Sequence, residues 1–379
     1  MAFTELDRGF MRRALELAEE ARGTAEPNPL VGALLVRDGE VVGEGCTRPY
    51  GGPHAELVAL QQAGDRAEGA TIYVTLEPCA HWGKTPPCAP AVAEAGVARV
   101  VAAVLDPTPK TRGQGVELLT DRGVEVQTGL LRAEAVRCNA GFFKLAAVRR
   151  PLVIAKWAMS ADGKIATRTG DSRWISSEPS RHRVHAVRGR VDCVAVGART
   201  ARMDDPLLTC RDAEAKRTAH RLVVCGGSAP DTESRLLRSL DRGPVLLAYP
   251  EGSPPDGLQR AEQAGCEALP LPEGDAPGLL DLGALLDQLG HREMTNVLLE
   301  GGANLLGGFF DAGLVDRVMA FVAPLVLGGE AAPSGVGGAG SARVEQAKQL
   351  GEPRMQRSGP DVLLEGWVRD PVRWLPKEE

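Results

Sequence analysis

Aromatic side chains are scarce in this 379-residue chain: Phe, Trp and Tyr together make 4% of it. Platforms for single-stranded nucleic acid stack bases on aromatic faces inside a basic groove, and a basic surplus is missing too. The chain carries 50 acidic against 44 basic residues, a formal net charge of −6. A duplex-binding protein neutralises phosphates with Lys and Arg, so that class is disfavoured. A small anion held by a local arginine cluster is still compatible. Long apolar runs are absent, and no segment reaches the length of a bilayer span. Met1 to Gly23 has acidic residues throughout and no unbroken apolar core, which argues against a signal peptide. No Gly-x-Gly-x-x-Gly follows a first strand, so the usual dinucleotide fingerprint is missing.

What is present is an ordinary globular composition, 43% hydrophobic and 25% charged, long enough for two or three domains. Eight cysteines are scattered singly apart from Cys79 and Cys88, and a reduced cytoplasm is the simplest reading. Thr4 with Asp7 three residues on opens a helix whose apolar residues Leu6, Phe10, Ala14, Leu17 and Ala21 recur at helical spacing up to Gly23. Val31 to Val36 and Val41 to Gly45 flank Asp38-Gly39, a hairpin signal. Helices near His54, Cys88 and Val116 then alternate with strands at Thr71 to Leu76, Arg99 to Leu105 and Val124 to Thr128. This order predicts a three-layer α/β domain. Arg149-Arg150-Pro151 marks a boundary, giving domains over 1–148 and 149–379.

A second α/β pattern follows that boundary. Strands are expected at Leu152 to Ala158, Cys193 to Gly197, Leu222 to Cys225, Val245 to Tyr249 and Asn296 to Leu299. Helices are expected at Ser177 to Arg188, Leu279 to Leu289 and Leu305 to Phe310. Val318 to Leu327 and Val362 to Val368 read as a terminal antiparallel pair. Gly328 to Ser341, rich in Gly, Ala, Ser and Pro, reads as a mobile loop.

The chemistry concentrates in His54-Ala55-Glu56 and in Glu77-Pro78-Cys79 through Cys88. One imidazole and two thiolates make an open zinc site, whose fourth position can hold a water. Glu56 then reads as a proton carrier and not as a ligand. His-x-Glu with Pro-Cys and a second Cys is the signature of zinc nucleobase deaminases, although the usual two-residue gap between cysteines is eight here. Two rival readings stand beside this one: buried thiols with a core histidine, or a structural zinc closed by His81.

The match extends further. Thr75-Leu76-Glu77-Pro78-Cys79-x-His81-x-Gly83-Lys84-Thr85-Pro86-Pro87-Cys88, Pro27-Asn28-Pro29-x-Val31-Gly32 and Asp106-Pro107 resemble the bifunctional deaminase–reductase family of riboflavin biosynthesis. So do Lys156-x-Ala158-x-Ser160-x-Asp162-Gly163, Trp174-Ile175, Asp204-Asp205-Pro206-x-Leu208-Thr209 and Glu300-Gly301-Gly302. In that family the long gap between cysteines is normal. The resemblance implies a cytidine-deaminase-like α/β/α domain followed by a dihydrofolate-reductase-like α/β domain, with Zn²⁺ and NADPH as cofactors. It implies a phosphorylated pyrimidine riboside as substrate, a cytoplasmic homo-oligomer, and neither nucleic acid nor membrane as partner.

Residue by residue, the resemblance implies His54, Cys79 and Cys88 on zinc and Glu56 as the catalytic acid–base. Asn28, His81, Lys84 and Asp106 would hold the pyrimidine and its ribose phosphate. Ala158, Trp174, Thr200, Asp204, Gly301, Gly302, Ala303 and Asn304 would hold NADPH. Ser172, Arg188, Leu208, Arg211 and Glu300 would meet the substrate of reduction, the arginines at its phosphate. Arg188 as a solvated helix charge is an equal alternative. Thr47 and Thr108 depart from the family, which often has His and commonly Asn at these positions. A tRNA-editing deaminase and a zinc-stabilised nucleotide-binding regulator are the rival functions.

Overall fold

The computed structural model describes residues 2–108, 111–274, 276 and 278–376, in two compact units. The first holds residues 1–149 together with those from Pro371 onward, and the second holds Arg150–Asp370.

In the first unit, Thr4 caps α1 (Glu5–Glu20) through a reciprocal capping box with Asp7. The buried stripe is Asp7, Met11, Ala14, Leu17 and Ala18, and Leu6, expected inside, is 72% exposed. The stripe turns because the buried Asp7 carboxylate is paired: it accepts from Tyr73 Oη at 2.7 Å and Arg99 at 2.9 Å. Strands β1 (Gly32–Arg37) and β2 (Glu40–Cys46) are joined by Asp38 and Gly39, both at positive φ, as a two-residue hairpin turn requires. Then come α2 (Ala55–Ala63), β3 (Thr71–Val74), α3 (Cys88–Glu94), β4 (Arg99–Ala102), α4 (Gln114–Asp121) and β5 (Glu125–Thr128). The sequence pattern did not announce the last two helices, α5 (Arg132–Cys138) and α6 (Ala140–Val148).

The sheet order is β2-β1-β3-β4-β5, with β1 antiparallel to both neighbours and β3, β4 and β5 parallel. Helices α1 and α2 cover opposite faces of β1, which is why its interior reads as an unbroken apolar run. A Cβ on Gly32 would meet Ala14 of α1, and one on the opposite-facing Gly43 would meet Ala59 of α2.

The second unit opens with β6 (Leu152–Ser160), α7 (Glu178–Arg188), β7 (Cys193–Gly197), α8 (Ala198–Asp204), β8 (His220–Val224) and β9 (Val245–Pro250). It continues with α9 (Leu258–Ala264), β10 (Glu267–Leu271), α10 (Leu282–His291), β11 (Asn296–Glu300), α11 (Ala303–Asp311), β12 (Arg317–Ala323), β13 (Gly351–Ser358) and β14 (Asp361–Trp367). The sheet runs β10-β9-β8-β7-β11-β6-β12-β14-β13; it is parallel as far as β12, and β14 and β13 are then added antiparallel. The expected terminal antiparallel pair is thus β12 with β14. The core lies between the sheet and helices α10 and α11, around Leu222, Leu286, Leu299 and Phe309.

Two expectations change. Gly328 to Ser341 is tied down: Gly328 N–H donates to Asp162 at 2.7 Å, Lys164 Nζ to Ala332 O at 3.0 Å, and Ala339 N–H to Asp311 at 2.7 Å. The second domain also does not run to the end of the described chain. At Pro371 the chain rejoins the first unit, where Trp374 is 6% exposed and lies under Lys144 of α6.

Candidate active sites

Parallel strands open a crevice beyond their carboxyl ends, and the first site is built there. Cys79 follows β3, Asp106 follows β4, Cys88 is the first residue of α3, and His54 is the N-cap of α2. His54 is extended (φ −74°, ψ 163°), so its ring stands off the helix while Glu56 sits in the first turn. That break in helical geometry lets a His and a Glu two residues apart serve one centre. His54 Nδ1 lies 3.6 Å from Cys79 Sγ and 3.4 Å from Cys88 Sγ. The three donor atoms fall within 4.8 Å of one another.

Charge around the cluster fits a cation. Hydrogen bonds from Cys88 and His54 hold the Cys79 thiol down to about 4. The shared thiol–thiol bond, then burial, pushes the Cys88 thiol above its ordinary value. A bound metal would hold both as thiolates. Glu56 is 2% exposed and its Oε2 has no hydrogen-bond partner. Burial, then the neighbouring Cys79, pushes its carboxyl up to about 7. A buried carboxylate with one oxygen unpartnered, beside three soft and borderline donors, is what an open zinc site with a proton carrier needs. His81 is not in this cluster; its Nδ1 lies 3.0 Å from Thr111 Oγ1.

The long loop between the cysteines is exposed at His81 and Lys84, and Lys84 Nζ stands 3.8 Å above the Tyr50 ring. Asp106 is buried, which pushes its carboxyl up, and its Oδ1 accepts from Thr108 N–H at 2.7 Å and Oγ1 at 2.5 Å. Asn28 is half-buried in the turn before β1. Thr47, buried, pairs its hydroxyl and backbone with Val31. Both threonines that depart from the family pattern therefore have intramolecular work in this chain.

The second site is a cavity of about 1000 Å³ at the carboxyl ends of β6, β7 and β11. Ala158, Ser172, Trp174, Arg188, Thr200, Asp204, Arg211, Glu300, Gly301, Gly302, Ala303 and Asn304 all line it. Leu208 does not: its side chain is 2% exposed in the core at positive φ, and Leu207 takes the wall. Gly302 is the N-cap of α11, and its N–H donates to Thr200 Oγ1 at 3.0 Å. Arg181 stacks 4.4 Å over the Trp174 ring.

Arg188 is not a solvated helix charge: its side chain is 12% exposed. It holds Glu300 through two bonds, 2.5 Å to Oε1 and 2.8 Å to Oε2, with Lys156 Nζ 3.9 Å from Oε2. Among the described lining residues, eight Lys or Arg face three Asp or Glu, a local cationic field inside an acidic protein. The sequence reading did not assign Lys156, Arg199 or Arg235 to this wall; Lys156 comes from β6, Arg199 from α8 and Arg235 from a turn, and only the fold brings them to one crevice.

The two folds and their sites define a zinc-dependent deaminase domain joined to a reductase domain of the NADPH-dependent kind. A family model described as the cytidine and deoxycytidylate deaminase zinc-binding region matches residues 4–104, and the RibD C-terminal domain matches 151–364. The chain is 36% identical over 360 residues to the riboflavin biosynthesis protein RibD of Aquifex aeolicus, covering 95% of this chain and 98% of that one. It is 37% identical to RibD of Escherichia coli, covering 94% and 98%. The solved structure of Acinetobacter baumannii RibD superposes with a TM-score of 0.82 at 32% identity, covering 96% and 99%. That of the Thermotoga maritima diaminohydroxyphosphoribosylaminopyrimidine deaminase/5-amino-6-(5-phosphoribosylamino)uracil reductase gives 0.81 at 33%, covering 95% and 98%. The chain belongs to the RibD family of bifunctional riboflavin biosynthesis enzymes.

Proposed function

We propose that this chain deaminates 2,5-diamino-6-ribosylamino-4(3H)-pyrimidinone 5′-phosphate in its first unit and reduces the ribosyl group of the product to ribityl in its second. The observation that carries the reading is the cluster of His54, Cys79 and Cys88 beside the orphaned Glu56 oxygen. Zinc held by those three residues supplies a Lewis acid that makes a water nucleophilic near neutral pH. Glu56 would take one proton from the attacking water and give it to the ring nitrogen, then carry the remaining hydroxyl proton to the departing amine, which would leave as ammonia while the carbonyl forms. A carboxyl raised toward neutrality suits both halves of that task. Asn28, His81, Lys84 and Asp106 hold the pyrimidine and its phosphate.

In the second unit NADPH supplies the hydride. The amides of Gly301 to Asn304, at the start of α11, suit its phosphates, with Ala158, Trp174, Thr200 and Asp204 along its length. Arg211 faces the substrate phosphate, while Arg188 fixes Glu300 toward the sugar. No described helix is long and apolar enough to cross a membrane, and none of the eight cysteines is in a disulfide; a reducing cytoplasm suits both facts.

Ammonia release and NADPH oxidation are measured separately on the purified zinc-loaded protein. Glu56→Gln should retain one zinc per chain, lose ammonia release by about 10²-fold or more, and keep NADPH oxidation on the pre-deaminated compound. Undiminished deamination in that variant would sink the assigned role.

A further inference from the structure

Glu77 stands two residues before Cys79, is 3% exposed, and takes no part in the chemistry described above. Its carboxylate nevertheless accepts four backbone amides. Oε1 accepts the N–H of Gly115 at 3.0 Å and of Val116 at 3.3 Å, and Oε2 accepts those of Gly113 at 2.9 Å and Asp106 at 3.2 Å. Its own N–H donates to Val104 O at 2.9 Å. One side chain thus gathers four amides, two from the first turn of α4, one from its N-cap and one from Asp106 in the loop that follows β4. Charged acceptors make stronger bonds than neutral ones, and an acidic group at the start of a helix is favoured by its dipole.

The same place is a close approach of backbones. A Cβ on Gly115 would lie 1.9 Å from Pro78 O, so the start of α4 is pressed directly against the residue preceding a metal ligand. Thr108 in turn holds Asp106 Oδ1.

We propose that Glu77 is a positioning residue for deamination: it latches the segment bearing Asp106 to the strand end bearing Cys79, and so fixes Asp106 relative to the metal ligands. This rests on the reading of Asp106 as a substrate contact. Displacing such a contact by about 1 Å can cost 10²-fold, without any change at the reacting atoms. Gln at 77 keeps the size but turns an NH₂ group toward amide donors, so at least two of the four bonds are lost.

The test uses the full-length zinc-loaded protein with Glu77→Gln, Asp106→Asn and the double variant. Glu77→Gln should raise the KM for ammonia release about tenfold or more, change kcat less, and leave zinc content and NADPH oxidation as they were. The double variant should be no worse than Asp106→Asn alone, because one residue acts through the other. Glu77→Asp, which keeps the charge, should fall between wild type and Gln, and serves if the Gln variant does not fold. Wild-type KM in Glu77→Gln, loss of zinc from it, or additive effects in the double variant would each overturn the latch. An Asp106→Asn variant with wild-type KM would overturn it at its premise, and so is distinguishable from the other failures.

Discussion

Glu300 is the residue on which the reductase wall depends. Burial alone would push its carboxyl up, but Arg188 and Lys156 pull it down to about 2. A folded-state value below the unfolded one stabilises the protein above the unfolded value, about pH 4.3, and that gain is lost as pH falls toward 2. Glu300→Gln leaves Arg188 buried beside a neutral partner. Breaking a buried pair in this way costs about 3–5 kcal/mol, so the urea midpoint of the second unit should fall, and its acid unfolding in this range should lose one titrating group. Neither partner was legible as part of a pair, because 112 residues separate them in sequence. The zinc ligands were legible for the opposite reason: each carries a rare side chain beside a turn or helix start. Asp7 lies between these cases. Its capping role was written locally in Thr4-x-x-Asp7, while its bonds to Tyr73 and Arg99 were not.

At the scale of elements, strands buried on both faces announce themselves as β-branched runs, and most were placed within a few residues. Strand β13 was not. Seven of its eight residues are exposed, and it exists through its antiparallel ladder with β14, so no apolar period marks it. The Gly-rich segment after β12 was misread because composition speaks of chain entropy and not of docking. Its glycines let it lie on α11: a Cβ on Gly307 would come 2.3 Å from the carbonyl carbon of Gly337. Gly307→Ala should therefore lift the segment and cost about 1–3 kcal/mol. Since Ala331 and Pro333 of that segment line the cavity, NADPH affinity measured by titration should weaken, with ammonia release unaffected. Unchanged cofactor affinity would show that the segment is only a cover.

For the whole molecule, the sequence boundary at Arg149-Arg150-Pro151 lies where the chain passes from one unit to the other, but the return at Pro371 left no sequence mark that pattern reading could use. A four-residue turn with one buried tryptophan is too short to carry a period. Ending the chain after Asp370 removes Trp374 from α6. Burying a side chain of that kind contributes roughly 2–3 kcal/mol, so the truncated protein should show an earlier unfolding transition for the first unit, by calorimetry or hydrogen exchange in α6. The second unit, Arg150–Asp370, should unfold as before. Equal stability of the first unit in both proteins would mean that the tail merely rests on it.

The same return at Pro371 has a consequence for biosynthesis. Domains usually fold in the order in which the ribosome releases them. Here the unit that begins the chain awaits a residue made after the whole of the second unit. The nascent deaminase unit therefore spends most of its translation with the site of Trp374 unfilled, exposed to chaperones and proteases. The zinc-site unit is the first to be translated and the last to be closed.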